Sequence, residues 1–357
     1  MNQNTLNDPA ELGAAWHQLR EEAPTLRIRD AAARLGVSEA ELLATNVGTT
    51  VTRLEGDFAE MLKMLPELGQ IMALTRNEYA VHERKGAYRN VSIEGGMGLV
   101  LDEEIDLRLF MTHWHFGFAV EDSIKGEPRY SLHFFDSDGT AVHKVYLQSD
   151  GNLEAYKRFV ERFRAAEQSQ IVAVSPLAPA PAPTPDEEID FEGLYAGWRA
   201  LEDTHQFFGL LRKFKAGRVQ ALRNAPADLA VEVDAASLRR VLTDASKSNL
   251  SIMVFVGSRG VIQIHTGPVE RIVAMDPWIN VLDKRFNLHL REDGIASAWI
   301  VRKPTNDGVV TALEVFDASG EVIAMFFGKR KPGVPELLEW RELIASVEQD
   351  HSLMRTA

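Results

Sequence analysis

The chain contains no cysteine, which excludes disulfides, thiolate metal sites and cysteine nucleophiles. No apolar run approaches the roughly eighteen residues that a membrane helix needs. The opening residues, MNQNTLNDPAELGAAW, have neither the basic start nor the apolar centre of a secretory signal. The expectation is a cytoplasmic protein without membrane insertion. Also missing are the GxSxG, P-loop, GxGxxG and HExxH patterns of the common hydrolases, nucleotide binders and zinc peptidases. Positive charge is scarce, with 39 Lys and Arg against 52 Asp and Glu, a formal net of −13. That balance argues against general binding to nucleic acid or acidic membranes. An anionic ligand must therefore meet a local cluster of cations.

What is present is a soluble, globular composition of 357 residues, 45% hydrophobic and 25% charged, a length that suits two domains. The stretch SPLAPAPAPTPDEEID, residues 175–190, favours extended polyproline II and offers little to pack. It predicts an N-terminal repeat over 1–170, a linker over 171–190 and a C-terminal repeat over 191–357. The halves are related. At an offset of 181 residues, Phe135, Asp136 and Gly139 fall on Phe316, Asp317 and Gly320, and Leu101, Asp102, Leu107 and Leu109 fall on Leu282, Asp283, Leu288 and Leu290. Trp16 aligns with Trp198 after a shift of one.

Each half starts with helical periodicity, in ELGAAWHQLREEAP and LYAGWRALEDTHQFFGLLRKF. Each then turns to short strands such as SIMVFV, GVIQIHTG, SAWIVRK and VIAMFFG. FDSDGTAV and FDASGEVI carry hairpin-turn chemistry. With no helices between the strands, antiparallel meanders follow. Each half closes on an amphipathic helix, LEAYKRFVERFRAAEQ or PELLEWRELIASVEQ. The predicted fold is α+β in tandem duplication, each half an antiparallel meander flanked by N- and C-terminal helices.

Several segments invite function. GGMG at 95–98 reads as a turn. RDAAARLGVSEAEL, residues 29–42, resembles a helix-turn-helix with Gly36 at the turn and Ser38 capping the second helix. That second helix offers Glu39 and Glu41 and no cation, so a hairpin packed on the sheet is expected rather than a DNA reader. HWHF places His113 and His115 on one side of a strand with no carboxylate nearby in sequence. His82 and His265 occupy similar places in the two halves and are expected to serve the fold. His205 has different company, because on one helix it shares a face with Leu201, Phe208, Gly209 and Arg212. Gly209 leaves room for something bulky, and Arg212, Lys213, Lys215 and Arg218 supply charge. Haem suits that set, with imidazole for iron, phenylalanine for the macrocycle and cations for the propionates. Spacing alone still favours a solvent-facing histidine.

THQFFGLLRKFKAGRVQALR, ALTRNEYAVHERKGAYRNV, IDLRLF and FNLHLREDGIASAWIVRKPTNDGVVTALEVFD resemble the bacterial cytoplasmic haem-trafficking and hemin-degrading factor family, over nearly the whole chain outside the linker. The resemblance implies one haem b in a cleft of the C-terminal half, partly covered by the N-terminal half. It makes His205 the proximal iron ligand and Arg108 a distal arginine, with Phe110 against the macrocycle. It places Arg218, Lys303 and Arg330 around the porphyrin and its propionates, and Phe255 and Phe327 as apolar walls. Where some relatives carry tyrosine or glutamine, this sequence has Phe326, Phe327 and Lys329. The partners implied are haem, a cytoplasmic haem oxygenase that receives it and an inner-membrane haem transporter that supplies it. Haem delivery is the leading function and haem degradation by the protein itself the alternative. Arg108 is the single distal donor in view, and no motif for a built-in reductase is present. A third idea, transcriptional regulation through residues 29–42, is opposed by the acidic second helix.

Overall fold

The computed structural model describes residues 8–179, 181–331 and 333–356, with side chains to residue 351. The chain divides into two compact units. One holds the chain up to Arg76, Glu83–Pro179 and Ser258–Gln263, and the other holds Asn77–His82, Ala180–Gly257 and Ile264–Ala357.

The first unit opens with α1 (Pro9–Glu22), α2 (Ile28–Leu35) and α3 (Glu39–Ala44), followed by β1 (Val51–Leu54) and α4 (Phe58–Met64). Next come β2 (Gly69–Arg76), β3 (Ala80–Gly86, whose first three residues count with the second unit), β4 (Val91–Glu94), β5 (Met97–Leu101) and β6 (Asp106–Phe110). It ends with β7 (Phe116–Ile124), β8 (Glu127–Phe135), β9 (Ala141–Gly151) and α5 (Leu153–Phe163). Strands β1-β7-β8-β9-β2 form an antiparallel ladder, and β4-β5-β6 a shorter one. α3 packs Ala40, Leu43 and Ala44 on Phe118, Val120 and Phe135. On the opposite face Met61, Leu62, Tyr156 and Phe159 from α4 and α5 cover Leu132, Phe134 and Val145.

The second unit repeats this plan. Its helices are α6 (Phe191–Arg199), α7 (Gln206–Phe214) and α8 (Arg218–Arg223), then β10 (Ala230–Val233) and α9 (Ser237–Lys247). The strands are β11 (Ile252–Gly257), β12 (Val261–Gly267, whose first three residues count with the first unit), β13 (Ile272–Met275), β14 (Trp278–Leu282) and β15 (Phe286–Arg291). They continue with β16 (Ser297–Thr305), β17 (Gly308–Phe316) and β18 (Val322–Gly328), and α10 (Leu338–Thr356) closes the chain. Here β10-β16-β17-β18-β11 form the antiparallel ladder. Trp198, Phe207, Leu211 and Leu222 from α6–α8 cover Trp299, Val301 and Phe316 on one face. Val241, Leu242, Trp340 and Ile344 from α9 and α10 cover Ile300, Leu313 and Val315 on the other.

The duplication survives in the backbone. The pairs β4/β13, β5/β14, β7/β16 and β8/β17 begin and end at the same offset, as in 116 to 297 and 124 to 305, both 181. Even the bulge is repeated, at Phe134/Phe135 and at Val315/Phe316. Both predicted hairpin turns form, with Gly139 at φ +78° and Gly320 at φ +83°. Asp136 and Asp317 each accept the glycine N–H at their carbonyls.

Some expectations change. The long helix read around His205 is two helices, because residues 200–205 leave the helical path between α6 and α7. Leu201 therefore does not share a helix face with His205. The 29–42 segment forms α2 and α3, with Gly36 left-handed at the first end and a Ser38–Glu41 capping box at the second. Its second helix is buried along Glu39, Ala40, Leu42, Leu43 and Ala44, so it is a sheet-packing hairpin. α2 and α3 occupy in the first unit the place of α7 and α8 in the second, and Arg27 stands at the cap position of His205. The 181 offset puts His82 opposite Gln263 rather than His265. His82 and His265 instead flank Phe286, at 4.9 and 3.8 Å between ring centroids.

Candidate functional site

The second unit carries a half-open apolar platform. Along β11 and β18 burial alternates, so Ile252, Val254 and Phe326 are buried while Met253, Phe255, Met325 and Phe327 are partly exposed. The register pairs Phe255 with Met325 and Met253 with Phe327, which gathers the four on one face. Phe255 and Phe327 meet edge to face at 4.9 Å. In the first unit the 181 offset puts Met72, Leu74, Lys144 and Tyr146 at these positions, and the same pairing holds, Met72 with Tyr146 and Leu74 with Lys144. There Lys144 is buried and ion-paired with Glu39, and Arg129 lies 5.3 Å over Tyr146. The apolar platform thus belongs to the second unit.

A buried charge cluster borders it. Arg218, the first residue of α8, donates through Nε to Glu314 Oε2 at 2.8 Å and through Nη2 to Glu314 Oε1 at 2.7 Å. Lys303 Nζ donates to the same Oε1 at 2.8 Å. Both cations lie over the Phe207 ring, at 5.4 Å for Arg218 and 4.7 Å for Lys303. Arg218 Nη2 also lies 3.5 Å from Met325 Sδ, which sets the guanidinium at the platform's edge. Burial opposes the ionised form of Glu314, yet the Arg218 and Lys303 charges outweigh it and hold its pKa at about 2. Lys303 is pulled the other way: burial, with help from Arg218, outweighs the attraction of Glu314 and lowers it to about 8. Glu314 is the firmly ionised member, because two cations face one carboxylate.

His205 sits at the N-terminal cap of α7, two residues before Phe207. Its side chain is 87% exposed. Asp203 Oδ1 accepts both the His205 backbone N–H at 2.7 Å and Nδ1–H at 2.6 Å. Hydrogen bonds from His205, with a contribution from the Arg330 charge, hold the Asp203 carboxyl below its usual range. With Nδ1 donating to Asp203, the imidazole lone pair lies on Nε2, in the manner of metal-binding histidines oriented by a carboxylate. Nothing lies within 4 Å of a Cβ built on Gly209, so the space expected above that residue is open. Phe208 is 64% exposed beneath Arg212, whose guanidinium lies 5.9 Å from the ring centre. Arg330 lies 3.7 Å from Asp307.

The second unit therefore brings Arg218 and Lys303 together on Glu314, and Phe255 and Phe327 together on the platform. His205 lies two residues before Phe207, the ring under both cations, and the Arg330 charge acts on Asp203, the partner of His205. Arg108 and Phe110 belong to the first unit. Arg108 pairs with Asp106 on its own strand, and Phe110 N–H donates to Gly260 O at 2.9 Å.

HWHF differs from its sequence reading. His113 lies in a 3₁₀ turn, and both histidines approach the buried Asp136, at 3.2 and 3.5 Å. Arg259 lies 3.5 Å from the same carboxylate. Among the described residues no group of three or more His, Cys, Asp or Glu is placed to hold a metal ion.

Sequence reasoning missed Asp203 and Glu314. Asp203 had a visible signal, an acid and a threonine just ahead of a helix, the usual composition of a turn into a helix start. Glu314 had none, since it is one acid in an alternating strand and its partner Arg218 is 96 residues away.

Comparison with known proteins adds the following. The haemin-degrading HemS/ChuX domain matches the chain twice, over residues 36–163 and 215–347. The hemin transport protein HemS of Yersinia enterocolitica is 42% identical over 329 residues, which cover 92% of this chain and 94% of that one. The crystal structure of holo-PhuS, a heme-binding protein from Pseudomonas aeruginosa, matches with a TM-score of 0.93 at 51% identity, covering 95% of this chain and 99% of PhuS. ChuS of Escherichia coli O157:H7, described as a heme degrading enzyme, matches with a TM-score of 0.89 at 37% identity, covering 95% of this chain and 99% of ChuS.

Proposed function

Because the chain belongs to the haemin-degrading HemS/ChuX family, we propose that it binds haem b on the second unit and delivers it, in the cytoplasm, to a haem oxygenase. The observation that carries this is the His205–Asp203 pair, an exposed imidazole whose Nδ1–H is held by Asp203 at 2.6 Å, which leaves the lone pair on Nε2. Haem, as cargo, brings the iron and a flat macrocycle. The platform of Met253, Phe255, Met325 and Phe327 suits the macrocycle, and Arg218 and Arg330 suit the propionates. Lys303 borders that edge with its charge committed to Glu314. On the resemblance, Arg108 supplies the distal contact and Phe110 an apolar one, with an inner-membrane haem transporter as donor.

Delivery suits these residues better than degradation. A degrading site must aim hydrogen-bond donors at the distal side, whereas Arg108 is tied to Asp106 and the platform is thioether and phenyl. One exposed histidine on a short helix also suits a ligand that must be released. The similarity to ChuS, described as a heme degrading enzyme, keeps degradation as the second reading.

Transfer kinetics test the proposal. Hemin-loaded protein is mixed with apo haem oxygenase or with apomyoglobin as a passive trap. Delivery predicts that transfer to the oxygenase is faster and rises with oxygenase concentration. Equal, concentration-independent rates to both acceptors would show passive release and overturn it.

A further inference from the structure

Every basic residue assigned to the ligand's acidic edge is held by something, and the hold on Arg218 is the most specific. Glu314 is fully buried on β17, directly across the ladder from Trp299 on β16 and Met325 on β18. Its two oxygens take the inner edge of the Arg218 guanidinium, Nε and Nη2, side by side. Arg218 Nη1 makes no hydrogen bond among the described residues. A planar fork pinned along one edge can point its remaining donors in one direction only. Nη2, pinned to Glu314, also lies 3.5 Å from Met325 Sδ, which sets the guanidinium at the platform's rim. Lys303, from the neighbouring strand, fixes the carboxylate by taking Oε1 at 2.8 Å. The first unit has no equivalent, since the 181 offset places His133 where Glu314 stands and α3 begins with Glu39 where α8 begins with Arg218.

We propose that Glu314 is the positioning residue that gives the site its selectivity for a carboxylate-bearing ligand, by clamping Arg218 so that its free Nη1 edge faces the platform. The inference rests on the haem-binding reading and deepens it. Glu314 does not touch the ligand. It removes the rotational freedom of the group that does, and it balances one of two cations so that the pair does not repel. Clamped in this way, Arg218 discriminates between a free carboxylate and its ester, which keeps the shape but loses the charge.

The test compares the affinities of hemin and hemin dimethyl ester for the full-length protein. Wild type should prefer hemin by about tenfold, the size of one charge-assisted hydrogen bond. E314Q alone leaves two buried cations without a counter-charge, so E314Q/K303M is used to keep the local charge at one. Arg218→Lys is the second variant, because it keeps the ion pair but has no outward edge. In both, the preference for hemin over the ester should fall to about twofold or less whatever the absolute affinities, an effect that general loosening of the fold would not produce. A wild-type preference in either folded variant would overturn the inference and leave haem binding intact. Failure of the wild type to bind hemin at all would overturn the reading beneath it.

Discussion

His205→Ala lowers the affinity for hemin by about a hundredfold or more, on a scale where loss of a supporting partner alone costs ten- to a hundredfold. The expected loss is large because, in the proposed mode of binding, one imidazole supplies the second unit's bond to iron, while the platform and cations offer only contacts with the macrocycle and its edge. The Soret band shifts as well, since the axial nitrogen is gone. Folding is barely affected, because the side chain is exposed and its one polar partner, Asp203, lies at the surface. Equilibrium titration and absorption spectra of the variant check this. An unchanged affinity and spectrum would reject His205 as ligand. His82 and His265 are poor substitutes, because both are buried against Phe286.

Arg218→Ala destabilises the protein by about 1.5–3 kcal/mol at neutral pH, the cost of losing hydrogen bonds to a buried charged group that keeps Lys303 as its counter-ion. Glu314 is then buried with Lys303 alone, and Phe207 loses one of the two cations over its ring. The sign of the pH dependence follows from Glu314. Its folded pKa of about 2 lies below its ordinary value of 4.5, so its contribution is complete above that ordinary value. It is lost as pH falls from there toward 2. The gap between wild type and variant should therefore be widest near pH 7 and narrow by pH 3.5. Urea unfolding at the two pH values measures it. A gap that stays constant or widens in acid would mean that Glu314 is not the ionised partner.

The fold was legible where local chemistry and repetition agreed. Asp-Ser-Asp-Gly and Asp-Ala-Ser-Gly wrote two hairpins, and the 181 offset carried the strand boundaries of one half onto the other. The break between α6 and α7 was missed because apolar periodicity runs through it, while Asp203 and Gln206 redirect the backbone by accepting N–H groups from His205, Glu202 and Asp203 itself. At the site, Arg218 and Lys303 stood out as cations beside aromatic residues. Glu314 did not, because its meaning depends on strand register and on a helix that starts 96 residues earlier. Asp136 was hidden in the same way from His113 and His115. The first unit sharpened the assignment: its buried Lys144–Glu39 pair and its Tyr146 stand where the second unit has Met325, Arg218 and Phe327. What differs between the repeats coincides with the proposed ligand site.

Carriage of haem and opening of haem part in one experiment. Hemin-loaded protein is incubated in air with ascorbate or a reductase, and with catalase to remove stray peroxide, while the Soret band and released iron are followed. A carrier keeps its Soret band, forms no ring-opened tetrapyrrole and releases no iron until haem oxygenase is added. Ring opening and iron release by the protein alone, with catalase present, would contradict carriage.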